Sequence, residues 1–81
     1  IDIDENGFIF YPNPTRNMLN ITMKSKKGRT LLIKSIEGRE MINSSILDHA
    51  ILNVSSLTPG MYVIEFVDSD GIRISSKFIK I

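Results

Sequence analysis

Hydrophobic residues recur at every second position along most of this chain. In the run Gly60 to Val67, Tyr62, Ile64 and Phe66 fall on one face, as a strand requires. In Ile72 to Ile81, Ile72, Ile74, Ser76 and Phe78 share one face, and Arg73, Ser75, Lys77 and Ile79 the other. Met18 to Met23 puts Leu19, Ile21 and Met23 on one side and Asn20 and Thr22 on the other. Phe8 to Tyr11 is a shorter run of the same kind. Thr30 to Ile36 is apolar and β-branched enough to be a central strand, and Glu40 to Ile46 returns beside it. Ala50 to Leu57 alternates less cleanly, with Leu52 and Val54 opposed to Ile51 and Asn53.

Turn chemistry separates these runs. Pro12-Asn13-Pro14-Thr15 cannot donate to a ladder at either proline, so it suits an edge strand or a crossing between sheets. Glu37-Gly38, Asp48-His49, Pro59-Gly60 and Asp70-Gly71 mark further breaks, and Asp-Gly is hairpin chemistry. Gly60 is expected at positive φ, or where a side chain would clash. Turn signals every ~8–12 residues and no helical period predict an all-β fold, an immunoglobulin-like antiparallel β-sandwich of about seven strands. The expected core is Phe8, Phe10, Leu19, Ile21, Leu31, Ile33, Ile36, Met41, Leu52, Val54, Leu57, Tyr62, Ile64, Phe66, Ile74 and Phe78. Phe78 should lie opposite Phe66 or Tyr62. Lys77 should point to solvent, and Lys80 should be free where the last strand frays.

Composition narrows the function more by exclusion than by assertion. At 81 residues one domain is expected: an acidic linker over 1–7 and a folded unit over 8–81. The chain is 42% hydrophobic and 23% charged, an ordinary globular balance, with a net charge of +1 that favours no nucleic-acid partner. Lys24, Lys26, Lys27 and Arg29 read as a solvated turn. No apolar window reaches ~18 residues, so no direct membrane insertion is expected. Ile1 is not an initiator Met, which suggests a piece of something longer.

Candidate chemistry is thin. With no Cys, disulfides and thiolate metal sites are excluded. His49 is the only His and has no second His or Cys to share a metal, so no metal or cofactor is expected. Asp2-x-Asp4-x-Asn6-Gly7 resembles half of a calcium loop, but its twelfth position is Asn13 rather than Glu, between Pro12 and Pro14. The carboxylates sit mostly at turns, and no nucleophile elbow or phosphate loop occurs. Catalysis is not expected. Asn20-Ile21-Thr22, Asn43-Ser44-Ser45 and Asn53-Val54-Ser55 match the short glycosylation pattern, which chance readily produces.

Four motifs in order resemble the type A C-terminal sorting domain of the type IX secretion system. They are Tyr11-Pro12-Asn13-Pro14-Thr15, the stretch Ile33 to Met41 with its Gly38-Arg39 turn, Leu57-x-x-Gly60-x-Tyr62, and Gly71-x5-Lys77 followed by Phe78-Ile79-Lys80. Ser35 stands where the family often has Asp, so no carboxylate role is carried there; Asn17 stands where Asp is common.

The resemblance implies a seven-stranded immunoglobulin-like sandwich at the end of a secreted cargo protein of diderm bacteria. It implies passage through the periplasm, recognition by the type IX translocon and its shuttle proteins, and arrival at the cell surface or outside. A cell-surface sortase would then usually remove the domain. It implies a recognition set of Gly60, Tyr62, Gly71, Lys77, Phe78 and Lys80, and a structural set of Tyr11, Pro12, Asn13, Pro14 and Gly38. An immunoglobulin- or fibronectin-like adhesion or carbohydrate-binding module, or a structural spacer, remain the other readings of the residues themselves.

Overall fold

The computed structural model describes residues 7–81, which form seven strands and no helix. The strands are β1 (Phe8–Tyr11), β2 (Met18–Met23), β3 (Arg29–Ser35), β4 (Glu40–Ile46), β5 (His49–Asn53), β6 (Gly60–Asp68) and β7 (Arg73–Lys80). They build a three-stranded sheet, β1-β2-β5, and a four-stranded sheet, β4-β3-β6-β7, with every pair antiparallel. The inward faces of the two sheets share one core of Phe8, Leu19, Ile21, Met23, Leu31, Ile33, Ile46, Val54, Leu57, Tyr62, Ile64, Phe66 and Phe78. This is the β-sandwich that the alternation predicts.

Position in the sheet explains the strands' composition. β3 is flanked by β4 and β6, and its Leu31, Leu32 and Ile33 are all buried. Leu31 and Ile33 face the core; Leu32 points the other way, between Asn43 of β4 and Glu65 of β6. A strand covered on both faces needs a continuous apolar run, which is why β3 does not alternate cleanly. Phe78 is paired with Tyr62 across the β6–β7 hairpin, ring centroids 5.7 Å apart.

Three expectations are corrected. Ile36 is 64% exposed, because β3 ends at Ser35 and the Ser35–Arg39 turn takes over, closed by Gly38 N–H donating to Ser35 O. Met41 is also exposed. The β3–β4 register shifts between Ile33 and Lys34: Ile33 faces Ile42 while Lys34 faces Glu40, leaving Met41 as the extra residue. Ile42 and Ile46 pack inward, and the period of two from them already puts Met41 on the outer face. The fifth strand runs His49–Asn53 rather than Ala50 to Leu57. Asn53 Oδ1 accepts from both the N–H and the hydroxyl of Ser55 (2.9 and 2.6 Å), a local turn that ends the strand. Val54 and Leu57 are still buried, at a corner rather than in a ladder. The acidic linker and the half calcium loop fall largely on residues 1–6, outside the described residues.

Candidate functional site

The motif residues are scattered along the chain, but antiparallel pairing gathers most of them. The Ser35–Glu40 turn leaves β3 at the end where β6 begins, since Ser35 faces Tyr62. Gly60 faces Lys80, so β7 finishes at that same end. Tyr11, Met18 and Asn53 mark the corresponding end of the three-stranded sheet.

The Pro12–Thr15 segment crosses between the sheets there. Tyr11 is the last residue of β1, and four residues later Thr15 makes a parallel bridge with Lys80 of the other sheet. Thr15 N–H donates to Ile79 O (2.8 Å), Ile81 N–H donates to Thr15 O (2.9 Å), and Ile79 N–H donates to Asn13 Oδ1 (2.9 Å). The Thr15 hydroxyl, fully buried, donates to Met18 O (2.7 Å). Both prolines can occupy this crossing because the donors it uses belong to Thr15, Ile79 and Ile81.

This fastening corrects the expectation for Lys80. The strand does not fray: Lys80 is only 6% exposed, and its ammonium donates to Ile81 O (2.9 Å). Its side chain shares the inward parity of Phe78. Lys77, one residue earlier, is exposed as expected.

Leu57-Thr58-Pro59-Gly60-Met61-Tyr62 builds the neighbouring corner. The Tyr62 ring is buried against Phe78, and its hydroxyl donates to Thr58 O (2.6 Å), four residues upstream. A tyrosine at the start of the sixth strand bonded back to the preceding corner is the tyrosine-corner arrangement of immunoglobulin-like sandwiches. Gly60 has φ +156, as expected, and a Cβ there would meet nothing within 4 Å, so its requirement is backbone conformation rather than space. A shallow groove runs between this corner and the β3–β4 turn, lined by Ile36, Arg39, Met41, Pro59 and Met61 among others.

A family model described as the secretion system C-terminal sorting domain matches residues 9–81. The chain belongs to the type IX secretion C-terminal sorting domains. No curated protein and no solved structure matches it. The role of such a signal is export to the cell surface or secretion, and it implies fusion to a cargo domain.

Within the sorting domain, the expected recognition residues divide by position. Gly60, Tyr62, Phe78 and Lys80 meet at the fastened end, with Tyr62, Phe78 and Lys80 buried and Gly60 exposed. Lys77 stands on the open outer face beside Val63. Gly71 lies in the turn at the opposite end of the hairpin, roughly 25–30 Å away along nine residues of strand. Of the structural set, Asn13 binds the last strand, while Tyr11 and Gly38 border the same end. Thr15 and Thr58 are contributors that alternation does not single out; the signal for Thr15 was its place in the Tyr-Pro-Asn-Pro-Thr motif.

The opposite end is polar and exposed. Asp68 Oδ1 accepts from the N–H groups of Asp70 and Ile72 (2.9 and 3.0 Å), and Lys27 pairs with Asp68 (3.1 Å) and Asp70 (3.5 Å). The Lys27 hydrogen bond holds the Asp68 carboxyl below its ordinary value against partial desolvation, and the same contact raises Lys27. On the outer face of the four-stranded sheet Glu65 binds Lys34 (2.9 Å) and Arg73 (2.7 Å). Burial pushes Glu65 up, but the two cations outweigh it and hold it low. Among the described residues no group of His, Cys, Asp and Glu could hold a metal ion.

Proposed function

We propose that this domain is the signal by which type IX machinery selects an attached cargo and carries it across the outer membrane, and that the fastened end of the sandwich is what is read. The convergence of two distant motifs, Tyr11–Thr15 and Leu57–Tyr62, on the last residues of β7 supports this reading most directly. A linear tail would need no such fastening. Asn13 and Thr15 hold Ile79 to Ile81 in one shape, and Tyr62 and Phe78 hold the strand beneath them.

Roles then differ by residue. Lys77 is a side-chain contact for the translocon or its shuttle proteins, and Gly60 offers backbone at the corner. Tyr62, Phe78 and Lys80 act through the shape they impose. Gly71 serves the hairpin turn. β1 runs toward the fastened end, so Gly7 lies at the opposite one, and a cargo joined ahead of it would sit away from the recognised surface. A cell-surface sortase would cut at or before the acidic segment over 1–7, releasing the cargo or passing it to a surface anchor.

The test is a reporter directed to the periplasm and fused to this chain in a host with the system. The intact fusion should reach the medium or the cell surface. Deleting Lys77–Ile81 should trap it, and Lys77→Ala should reduce export with the domain still folded. Normal export of the deletion would exclude this reading and return the adhesion module to first place.

A further inference from the structure

The two outer faces of the sandwich differ in charge. β1, β2 and β5 contain no Lys, Arg, Asp or Glu, whereas every strand of the four-stranded sheet contains at least one. The outward positions of the small sheet follow from its register: Ile9 beside Thr22, Tyr11 beside Asn20, Asn20 beside Ile51, Thr22 beside His49, and Met18 beside Asn53. Three large side chains stand out of it, Tyr11 at 40%, Met18 at 43% and Ile51 at 56% exposure. The other outer face also exposes Met41, Met61 and Ile79, but among Lys34, Glu65, Arg73 and Lys77.

Charge is the usual protection of an exposed sheet and of its edge strands. Here the four-stranded sheet has it at both edges, in Glu40 of β4 and in Arg73 and Lys77 of β7, while the edges β1 and β5 have none. Aromatic and Met side chains without Lys, Glu or Asp are the composition of the centre of a protein interface. A lipid surface would be drawn by basic residues, which this face lacks.

The face is also continuous with the fastened end. Tyr11 opens the segment that clamps β7, and the Met18 carbonyl receives the Thr15 hydroxyl. A protein reading that end meets Tyr11 and Met18 next. Three strands of 4, 6 and 5 residues cover about 15 × 20 Å, so this face supplies the centre of a standard interface of ~800 Å² per partner and the adjoining end the remainder.

We propose that the outer face of β1-β2-β5 docks on a component of the secretion machinery through an uncharged protein surface. That surface would bury Tyr11, Met18 and Ile51 and offer hydrogen bonds to Asn20, Thr22 and Asn53. The proposal rests on the sorting function above and adds the surface that makes the contact.

The experiment places a charge on each face in turn, in two fusions carrying unrelated reporters. Ile51→Lys with Met18→Lys should lower export at least about tenfold, because an unpaired charge in the docked surface costs more than the ~1.4 kcal/mol of a tenfold change. Thr30→Lys with Ser45→Lys, on the other outer face, should export normally. Ile51→Thr with Met18→Thr keeps β propensity while removing apolar area, and should show a smaller loss; it decides the matter if the Lys pair loses protease resistance. Normal export of the Thr pair and of a folded Lys pair overturns the proposal. So does a loss confined to one reporter, which would place the face against cargo, or sedimentation of the unaltered chain as a dimer that the Lys pair dissociates. Failure of the unaltered fusion to leave the periplasm would instead sink the sorting function itself.

Discussion

The β6–β7 hairpin is held at its two ends by different means. At the Gly71 turn the contacts are local or at the surface: Asp68 caps its own loop, and Lys27 reaches in from a flexible side chain. At the Lys80 end they are backbone bonds to residues far away in the chain, with Thr15 and Lys80 buried. Surface ion pairs contribute little and tolerate substitution, whereas buried hydrogen bonds are costly to break. An end that had only to turn the chain could be fastened like the first. The second is built to keep one shape.

Phe78→Ala should give the largest effect. It removes a ring packed on Tyr62 and Phe10, and should cost ~3–5 kcal/mol in a denaturant titration. A small loss would mean that the fastened end does not depend on the core beneath it.

Thr15→Val keeps the shape and the backbone bridge but leaves Met18 O without its hydroxyl donor. A loss of ~1 kcal/mol is expected, the net worth of one part-buried hydrogen bond. No loss would place the strength of this end in the backbone bonds alone. Gly60→Val should cost about 1 kcal/mol through backbone strain at positive φ, read as a lowered midpoint with an unchanged denaturant slope.

At the other end Lys27→Ala should leave the melting temperature unchanged at physiological salt and lower it only at low salt. An equal loss at both salts would show the two ends to be more alike than their geometry suggests.

Acid gives the finest comparison. Glu65 and Asp68 are held below their ordinary values of 4.5 and 3.8 in the folded chain. Their contribution is therefore complete above those values and is lost as pH falls through the lower folded ones. Glu65→Gln should lower the neutral plateau by that contribution and flatten the fall below that range, so that the two chains converge in acid, measured by thermal unfolding at a series of pH values.

Much of this architecture is legible from side-chain alternation. β2, β6 and β7 bury the residues that a period of two selects, and Tyr62 faces Phe78 as expected. Two readings fail. Met41 is out of phase with Ile42 and Ile46, which pack inward, and one Asn53–Ser55 turn, a local event that alternation cannot register, ends β5 early. Tyr62 and Phe78 belong to the motifs that imply recognition residues, and both are in the core. A motif names positions that matter without saying whether they touch a partner or support those that do.

The all-β class, the strand count and the membership of the sorting-domain family follow from the residues alone, because alternation, turn residues and motif spacing are local properties. That Asn13 and Thr15 hold the last strand, that Lys80 is buried and that the charge-free strands share one face emerges with the three-dimensional packing. Each of these depends on which strands are neighbours, and residues as far apart as Asn13 and Ile79 meet only because both sheets close on one core.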